Sequence, residues 1–151
     1  MKTNILKNKK GFSLLELLIS ITIIGTLSVV IISSLSSSRG RAYDSKIKQQ
    51  LISFRTSAYL YYYNQTPYSY GVSSDCNSGV FADTDINNAN PGNYIKPSNL
   101  PSFTNVFCVS DGVSYSVKAT LYEGDTYFCV DSKGNAKTLN GTINLTETSC
   151  P

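Results

Sequence analysis

Residues 9–35 read KKGFSLLELLISITIIGTLSVVIISSL, a pair of lysines, a Gly-Phe step and then an apolar run. The 24 residues from Phe12 to Leu35 would span about 36 Å as a helix, which exceeds the roughly 30 Å of a hydrocarbon core. The preceding residues 1–11 are polar and contain four lysines, so we expect this end to stay in the cytoplasm. A secretory signal fits less well, because the run is longer than usual and no A-x-A-like cleavage site follows. A plain single-pass anchor is the other simple interpretation.

One carboxylate, Glu16, interrupts the apolar run. Placing an acidic side chain in a membrane helix costs about 2.5–3.5 kcal/mol on insertion scales, less near the end of the helix. A cation close by on another copy of the chain would offset this cost. A new α-amino group would serve, and cleavage after Gly11 would create one.

The segment from Lys9 to Leu18 resembles the prepilin signal of type IV pilins and of the pseudopilins of type II secretion and DNA-uptake systems. It has a short basic leader, Gly11, then Phe12, then Glu16, and Gly25 in the apolar helix. The resemblance is strong over residues 1–65. It implies that a prepilin peptidase cleaves between Gly11 and Phe12 and N-methylates Phe12, and that Glu16 neutralises a neighbouring subunit's N-terminus in a fibre. The proline that many members carry in the second half of this helix is absent, so any break in the helix would fall at Gly25, Gly40 or residues 33–38.

Composition argues against several other functions. The chain has no His, which excludes Ser-His-Asp and Cys-His catalysis and zinc sites that need His. The net charge of +3 resides in the first ten residues, since without their four lysines nine cations face ten carboxylates. We therefore expect no nucleic-acid binding. Because the aspartates lack EF-hand spacing and no nucleotide-binding motif occurs, we also expect no enzyme activity, metal or cofactor.

A second helical pattern follows the polar exit segment 36–41. Its apolar residues recur at gaps of 4, 4, 3, 4 and 3 and are Tyr43, Ile47, Leu51, Phe54, Ala58 and Tyr61. This spacing predicts an amphipathic helix, either separated by a break at Gly40 or continuous with the membrane helix. Four tyrosines between residues 59 and 63 crowd its end, where we expect them to pack with their hydroxyls in water. Residues 64–67, Asn-Gln-Thr-Pro, should terminate the helix.

The remaining chain predicts a small β-sheet head. Residues 65–110 are rich in turn-forming residues and indicate a long loop region. Strict alternation over Val113–Leu121, then Thr126–Asp131 and Ala136–Leu139, predicts a three-stranded antiparallel meander. Its first hairpin pairs Phe128 with Leu121 if the two-residue turn is Gly124-Asp125, and with Ala119 if it is Glu123-Gly124.

The four cysteines lie 32, 21 and 21 residues apart without a C-x-x-C pair, which favours two structural disulfides and an oxidising compartment. Spacing alone allows three pairings. In the predicted sheet Cys129 points away from the apolar face. The C-terminal tail that carries Cys150 could cross the sheet on the side to which Cys129 points. We therefore favour Cys129–Cys150 and, by elimination, Cys76–Cys108.

Taken together, these patterns predict an α+β fold in which a long N-terminal helix packs against an antiparallel β-meander head. We expect a prepilin leader at 1–11, a transmembrane and assembly helix at 12–35, its amphipathic continuation at 36–64 and a disulfide-tied head at 65–151. The expected protein is a type IV pilin, with membrane lipid, prepilin peptidase, an inner-membrane assembly platform and motor, and other copies of itself as partners. It would sit in the cytoplasmic membrane with its head outside the cytoplasm and then enter an extracellular pilus. The alternatives are a pseudopilin of type II secretion or DNA uptake, in a periplasmic pseudopilus, and an anchored binding module that does not polymerise.

Overall fold

The computed structural model describes residues 11–151. Except for Gly11, the predicted leader lies outside these residues. The chain divides into two units, Met1–Ser38 and Arg39–Pro151. The helices and strands are α1 (Leu14–Asn64), β1 (Val72–Ser73), α2 (Gly92–Ile95), β2 (Val106–Asp111), β3 (Tyr115–Thr120), β4 (Thr126–Asp131) and β5 (Ala136–Asn140). Three short 3-10 helices lie between β1 and β2, at Gly79–Phe81, Ile86–Asn88 and Pro97–Asn99. The predicted α+β layout is confirmed.

The amphipathic stripe of α1 forms one side of the head's core. Ile47, Leu51, Phe54 and Ala58 are completely buried, as their spacing predicts. Tyr43, the first residue of the predicted stripe, is instead exposed. Its ring packs against two aromatic rings at the border of the head, those of Phe103 and Tyr122.

Helix α1 continues through Gly40, so the alternative with a separate second helix is wrong. Gly40 has a packing role instead. A Cβ atom at this position would lie 2.5 Å from the Tyr122 ring, which therefore packs directly on the helix backbone. The Tyr122 amide also donates to Asp44 Oδ1 at 2.7 Å. These contacts fix the loop between β3 and β4 on α1.

The sheet has five antiparallel strands in the order β1-β2-β3-β4-β5, so the prediction of three strands is wrong. Both additional strands, β1 and β2, lie within the stretch predicted as loop. Neither has a clear alternation of buried and exposed residues, since β1 is only two residues long and β2 is partly buried on both faces. The start of β3 was also misplaced, because Val113 is exposed in the turn after β2. There its amide donates to Asp111 Oδ1 at 2.9 Å.

The register between β3 and β4 matches the second of the two predicted alternatives. Ala119 pairs with Phe128, and Val117 pairs with Val130. The last hydrogen bond between the two strands runs from the Leu121 amide to the Thr126 carbonyl at 3.0 Å. The connection is therefore longer than two residues, because residues 122–125 lie between this pair. The side chains of all four paired residues are buried against the stripe of α1 in one core.

The other face of the sheet is covered by residues 141–151, which we call the C-terminal strap. Lys118 on β3 is only 1% exposed, and its Nζ donates to the carbonyl oxygens of Asn144 and Glu147 in the strap. Burial lowers the pKa of Lys118, while the nearby Glu147 carboxylate opposes this shift. Ser116 Oγ donates to the Glu147 carbonyl at 2.6 Å. The polar residues of β3 therefore serve to bind the strap and do not form a solvated surface.

Two disulfides close the head. Cys76 is bonded to Cys108 on β2, and Cys129 on β4 is bonded to Cys150 in the strap. These are the pairs favoured from the sequence. Cys129, Cys150 and Tyr127 form a small second core between sheet and strap. This core lies on the face opposite α1, where the predicted alternation of β4 places Cys129.

Asp131 should make the head sensitive to acid. Burial opposes its charge, but hydrogen bonds from Asn135, Cys150 and Lys133 outweigh burial and hold the pKa of Asp131 below its ordinary value. A carboxylate with a depressed pKa stabilises the fold above its unfolded pKa of about 3.9, and this stability is lost as the pH falls through the lower folded value. We expect the free energy of unfolding of Asp131→Asn to be about 1–3 kcal/mol lower than that of the wild type at pH 7, because the new amide NH₂ would face hydrogen-bond donors. Its thermal unfolding should also depend less on pH below about 4.

The matched control is Asp85→Asn, at an exposed carboxylate that caps a 3-10 helix. Asparagine caps nearly as well as aspartate, so this variant should unfold like the wild type. Equal stability of Asp131→Asn and wild type at pH 7 would contradict the prediction.

Candidate functional site

The candidate processing site lies just before α1. Gly11 and Phe12 are exposed and precede the helix, whose first turn is closed by the Ser13 carbonyl. This carbonyl accepts hydrogen bonds from the amides of Glu16 at 3.1 Å and Leu17 at 3.2 Å. A Cβ atom added at Gly11 would meet nothing within 4 Å. Packing against residues 11–151 therefore gives no reason for a glycine here, which leaves recognition by another protein as a reason.

Glu16 lies in the first turn of α1 and is exposed. The amide groups of a helix N-terminus favour a negative charge at this place by about 0.3–1 kcal/mol. No salt bridge engages this carboxylate within residues 11–151. The position suits a carboxylate that pairs with a cation supplied by a second molecule.

The rest of this unit presents a continuous apolar surface. Every large apolar side chain from Leu14 to Ile32 is between 48% and 84% exposed. By length and composition α1 is long and apolar enough to cross a membrane, with a mean hydropathy of 2.4 over its best window and none of that window buried. Water is a poor environment for such a surface, so lipid or other apolar helices should cover it.

Four hydroxyl side chains lie within this apolar surface, and each is satisfied by its own helix. The donors and the carbonyls that accept are Ser20 to Glu16 at 2.7 Å, Thr22 to Ile19 at 2.8 Å, Thr26 to Ile23 at 3.0 Å and Ser28 to Ile24 at 2.7 Å. An unsatisfied hydroxyl would be costly in hydrocarbon, but these bonds remove the penalty. No role was predicted for these residues, although serine or threonine in a membrane helix commonly bonds back in this way.

Residues 6–32 match the family model described as the prokaryotic N-terminal methylation motif. This motif is the signal of type IV pilins and pseudopilins, and the chain carries it. The motif indicates a pilin-type or pseudopilin-type substrate of prepilin peptidase, that is, a structural protein that is processed and assembled into pilus-type polymers. Together with the apolar helix it fits a membrane-anchored pilin. No curated protein and no solved structure matches the chain.

The roles of individual residues remain predictions. The structure places Gly11, Phe12 and Glu16 within six residues of one another at the exposed start of α1. The two disulfides belong to the second unit. In the part of the chain that the structure describes, no group of three Cys, Asp or Glu side chains could hold a metal ion.

Proposed function

We propose that this protein is the structural subunit of a type IV pilus. A prepilin peptidase cleaves it between Gly11 and Phe12 and methylates the new N-terminus. The processed subunit waits in the cytoplasmic membrane and then joins other copies through the first half of α1. The polymer is an extracellular fibre, driven by an assembly platform and motor that other proteins supply.

The observation that carries this proposal is the exposed apolar surface of α1 with one carboxylate near its start. Lipid can cover this surface before assembly, and neighbouring helices can cover it afterwards. Moving apolar side chains from lipid into a helix bundle exchanges one apolar surrounding for another. The environment of Glu16 changes more than that of the apolar side chains, because in the bundle its carboxylate can pair with the α-amino group of Phe12 from the next subunit.

The structure of the head favours a location outside the cytoplasm, as expected for the subunit of an extracellular fibre. Its two disulfides require an oxidising environment to persist. One of them fixes the C-terminal strap on the sheet. A subunit with both of its sheet faces covered suits prolonged exposure to the medium.

Intact-mass spectrometry of the membrane fraction and of sheared extracellular material tests the proposal. The expected mass in both fractions is that of Phe12–Pro151 plus one methyl group and minus four hydrogens for two disulfides. The matched variant is Gly11→Val, at a position where an added Cβ atom meets nothing within 4 Å in the described residues. It should keep the full-length mass and remain in the membrane.

Other outcomes would assign the protein elsewhere. A processed subunit that reaches the periplasm but never the sheared fraction would identify a pseudopilin. Full-length wild-type protein found only in the membrane would identify an anchored module and contradict the proposal.

A further inference from the structure

A cavity of about 330 Å³ opens between the second half of α1 and the turn that joins β4 to β5. Arg55 and Tyr59 line it from the helix, Tyr70 and Tyr115 from the sheet side, and Ser132 and Gly134 from the turn. All these residues belong to the unit Arg39–Pro151. The cavity is at the small end of ligand pockets, which run from roughly 300 to 1,000 Å³, so it suits one ring rather than a long chain.

Arg55 supplies the only charge in the lining of this cavity. Its Nη1 donates to the Gly134 carbonyl at 2.7 Å, which holds the guanidinium against the turn. The described contacts of Arg55 contain no salt bridge, so its other N–H groups can serve a ligand. A guanidinium binds a carboxylate through two parallel hydrogen bonds. These bonds are shorter and stronger than hydrogen bonds between neutral groups.

Tyr115 offers a second, buried polar group. The residue is only 1% exposed, and the Phe54 and Tyr70 rings hold its ring edge-on at centroid distances of 5.5 and 4.7 Å. Buried tyrosines usually find a hydrogen-bond partner, but nothing in residues 11–151 hydrogen-bonds this hydroxyl. It is also not sealed off, since Thr104 Oγ1 is the one enclosed side-chain atom without a partner in the described chain. Tyr115 is among the residues that line the cavity, so a ligand bound there could accept a hydrogen bond from it.

Burial raises the pKa of the Tyr115 hydroxyl, so this group remains protonated and can donate a hydrogen bond at any physiological pH. Tyr70, which is also buried, contributes a second phenol to the lining. At the rim, the exposed ring of Tyr59 lies 4.8 Å from that of Tyr63. The cavity thus combines aromatic walls, one guanidinium and the Tyr115 hydroxyl, which has no hydrogen-bond partner within residues 11–151.

We propose that this cavity binds a single acidic sugar residue, such as the hexuronic acid of an acidic polysaccharide. The carboxylate would pair with Arg55, a ring hydroxyl would pair with Tyr115, and the C–H face of the sugar would lie on the tyrosine rings. A neutral sugar would leave the guanidinium without an anion. An aromatic acid would leave the phenols without a hydroxyl partner. The site lies in the head, so it does not depend on whether the subunit polymerises.

The test is an NMR titration of the full-length chain in detergent micelles with glucuronate, and with glucose and benzoate as comparisons. We expect glucuronate to bind about tenfold or more tightly than either comparison, because each lacks one set of polar contacts. Arg55→Gln should reduce the affinity for glucuronate to that for glucose. Tyr115→Phe, which removes one oxygen atom only, should weaken glucuronate binding severalfold. Lys46→Gln removes the same charge from an exposed position of α1 and should bind like the wild type.

Several results would overturn the inference. These are no binding of glucuronate by the wild type, equal affinity for glucose, tighter binding of benzoate, or an unchanged affinity in Arg55→Gln. The same titration with Glu16→Ala separates this inference from the proposed function. Binding by a variant that forms no fibres would support the cavity assignment, and loss of binding in this variant would contradict it.

Discussion

Glu16→Ala is expected to leave a processed, methylated protein in the membrane and none in the sheared extracellular fraction. Cleavage and methylation should continue, because Gly11, Phe12 and the start of the helix are unchanged. Assembly should fail, because the N-terminal amine of each neighbouring subunit would enter an apolar bundle without a counter-charge. Removing one partner of a buried ion pair costs about 3–5 kcal/mol, and a fibre repeats this cost at every subunit.

Ser20→Ala is the matched control for this variant. Ser20 lies one turn after Glu16, and its hydroxyl only donates to the Glu16 carbonyl. Its loss should leave both membrane insertion and the yield of fibres unchanged. Wild-type amounts of Glu16→Ala in the sheared fraction would show that the carboxylate has no role in assembly.

Removal of the Cys129–Cys150 disulfide should strongly destabilise the head. The paired change Cys129→Ser and Cys150→Ser opens a loop with a sequence separation of 21, which corresponds to about 3 kcal/mol in loop-closure models. We expect the thermal midpoint to fall by on the order of 10 °C. The C-terminal strap should also become sensitive to protease, because it would lose its covalent link to the sheet. Hydrogen bonds to Lys118, Ser116, Asp131 and Asp125 would still hold it.

The other disulfide provides the comparison. Cys76→Ser with Cys108→Ser opens a loop with a separation of 32, and a similar loss of stability is expected. The strap should remain resistant to protease in this variant, since none of its contacts change. Equal protease sensitivity of the strap in the two variants would contradict its assignment as a segment secured by Cys150.

The parts of the fold that could be predicted are those in which each residue's surroundings follow a regular period. The stripe from Ile47 to Ala58 recurs at helical spacing because one face of α1 meets the sheet. The two possible turns limited the register of β3 and β4 to two choices, and the structure adopts the one that pairs Ala119 with Phe128. Strand β2 escaped prediction because neither of its faces is fully buried or fully exposed, which erases the period of two.

The polar contacts by which the C-terminal strap covers the sheet could not be predicted. Alternation in β3 marks Ser116 and Lys118 as polar, and polar residues on one face of a strand usually indicate solvent. Their partners are main-chain carbonyls in the strap, and a carbonyl carries no sequence signal. The position of Cys150 was the one available indication, and it sufficed to place the tail on that face. The sugar cavity has no local signal either, because Arg55, Tyr70 and Tyr115 come together only through the fold.

The site at the start of α1 shows the opposite case. Gly11, Phe12 and Glu16 were recognised from their order in the sequence alone, and residues 6–32 match a model of that motif. Local order suffices here because the motif is a contiguous stretch of sequence and does not depend on residues brought together by the fold. The structure adds the exposure of this segment and the absence of any packing reason for Gly11.

The hydroxyl groups inside the apolar part of α1 bear on whether a fibre could be taken apart again. Because Ser20, Thr22, Thr26 and Ser28 bond to carbonyls of their own helix, these groups need no new partner when the helix leaves the bilayer and lose none when it returns. In the proposed fibre, the difference in free energy between the two locations then depends mainly on Glu16 and on close packing. A motor would need to overcome only that difference in either direction, so the same helix permits both extension and retraction.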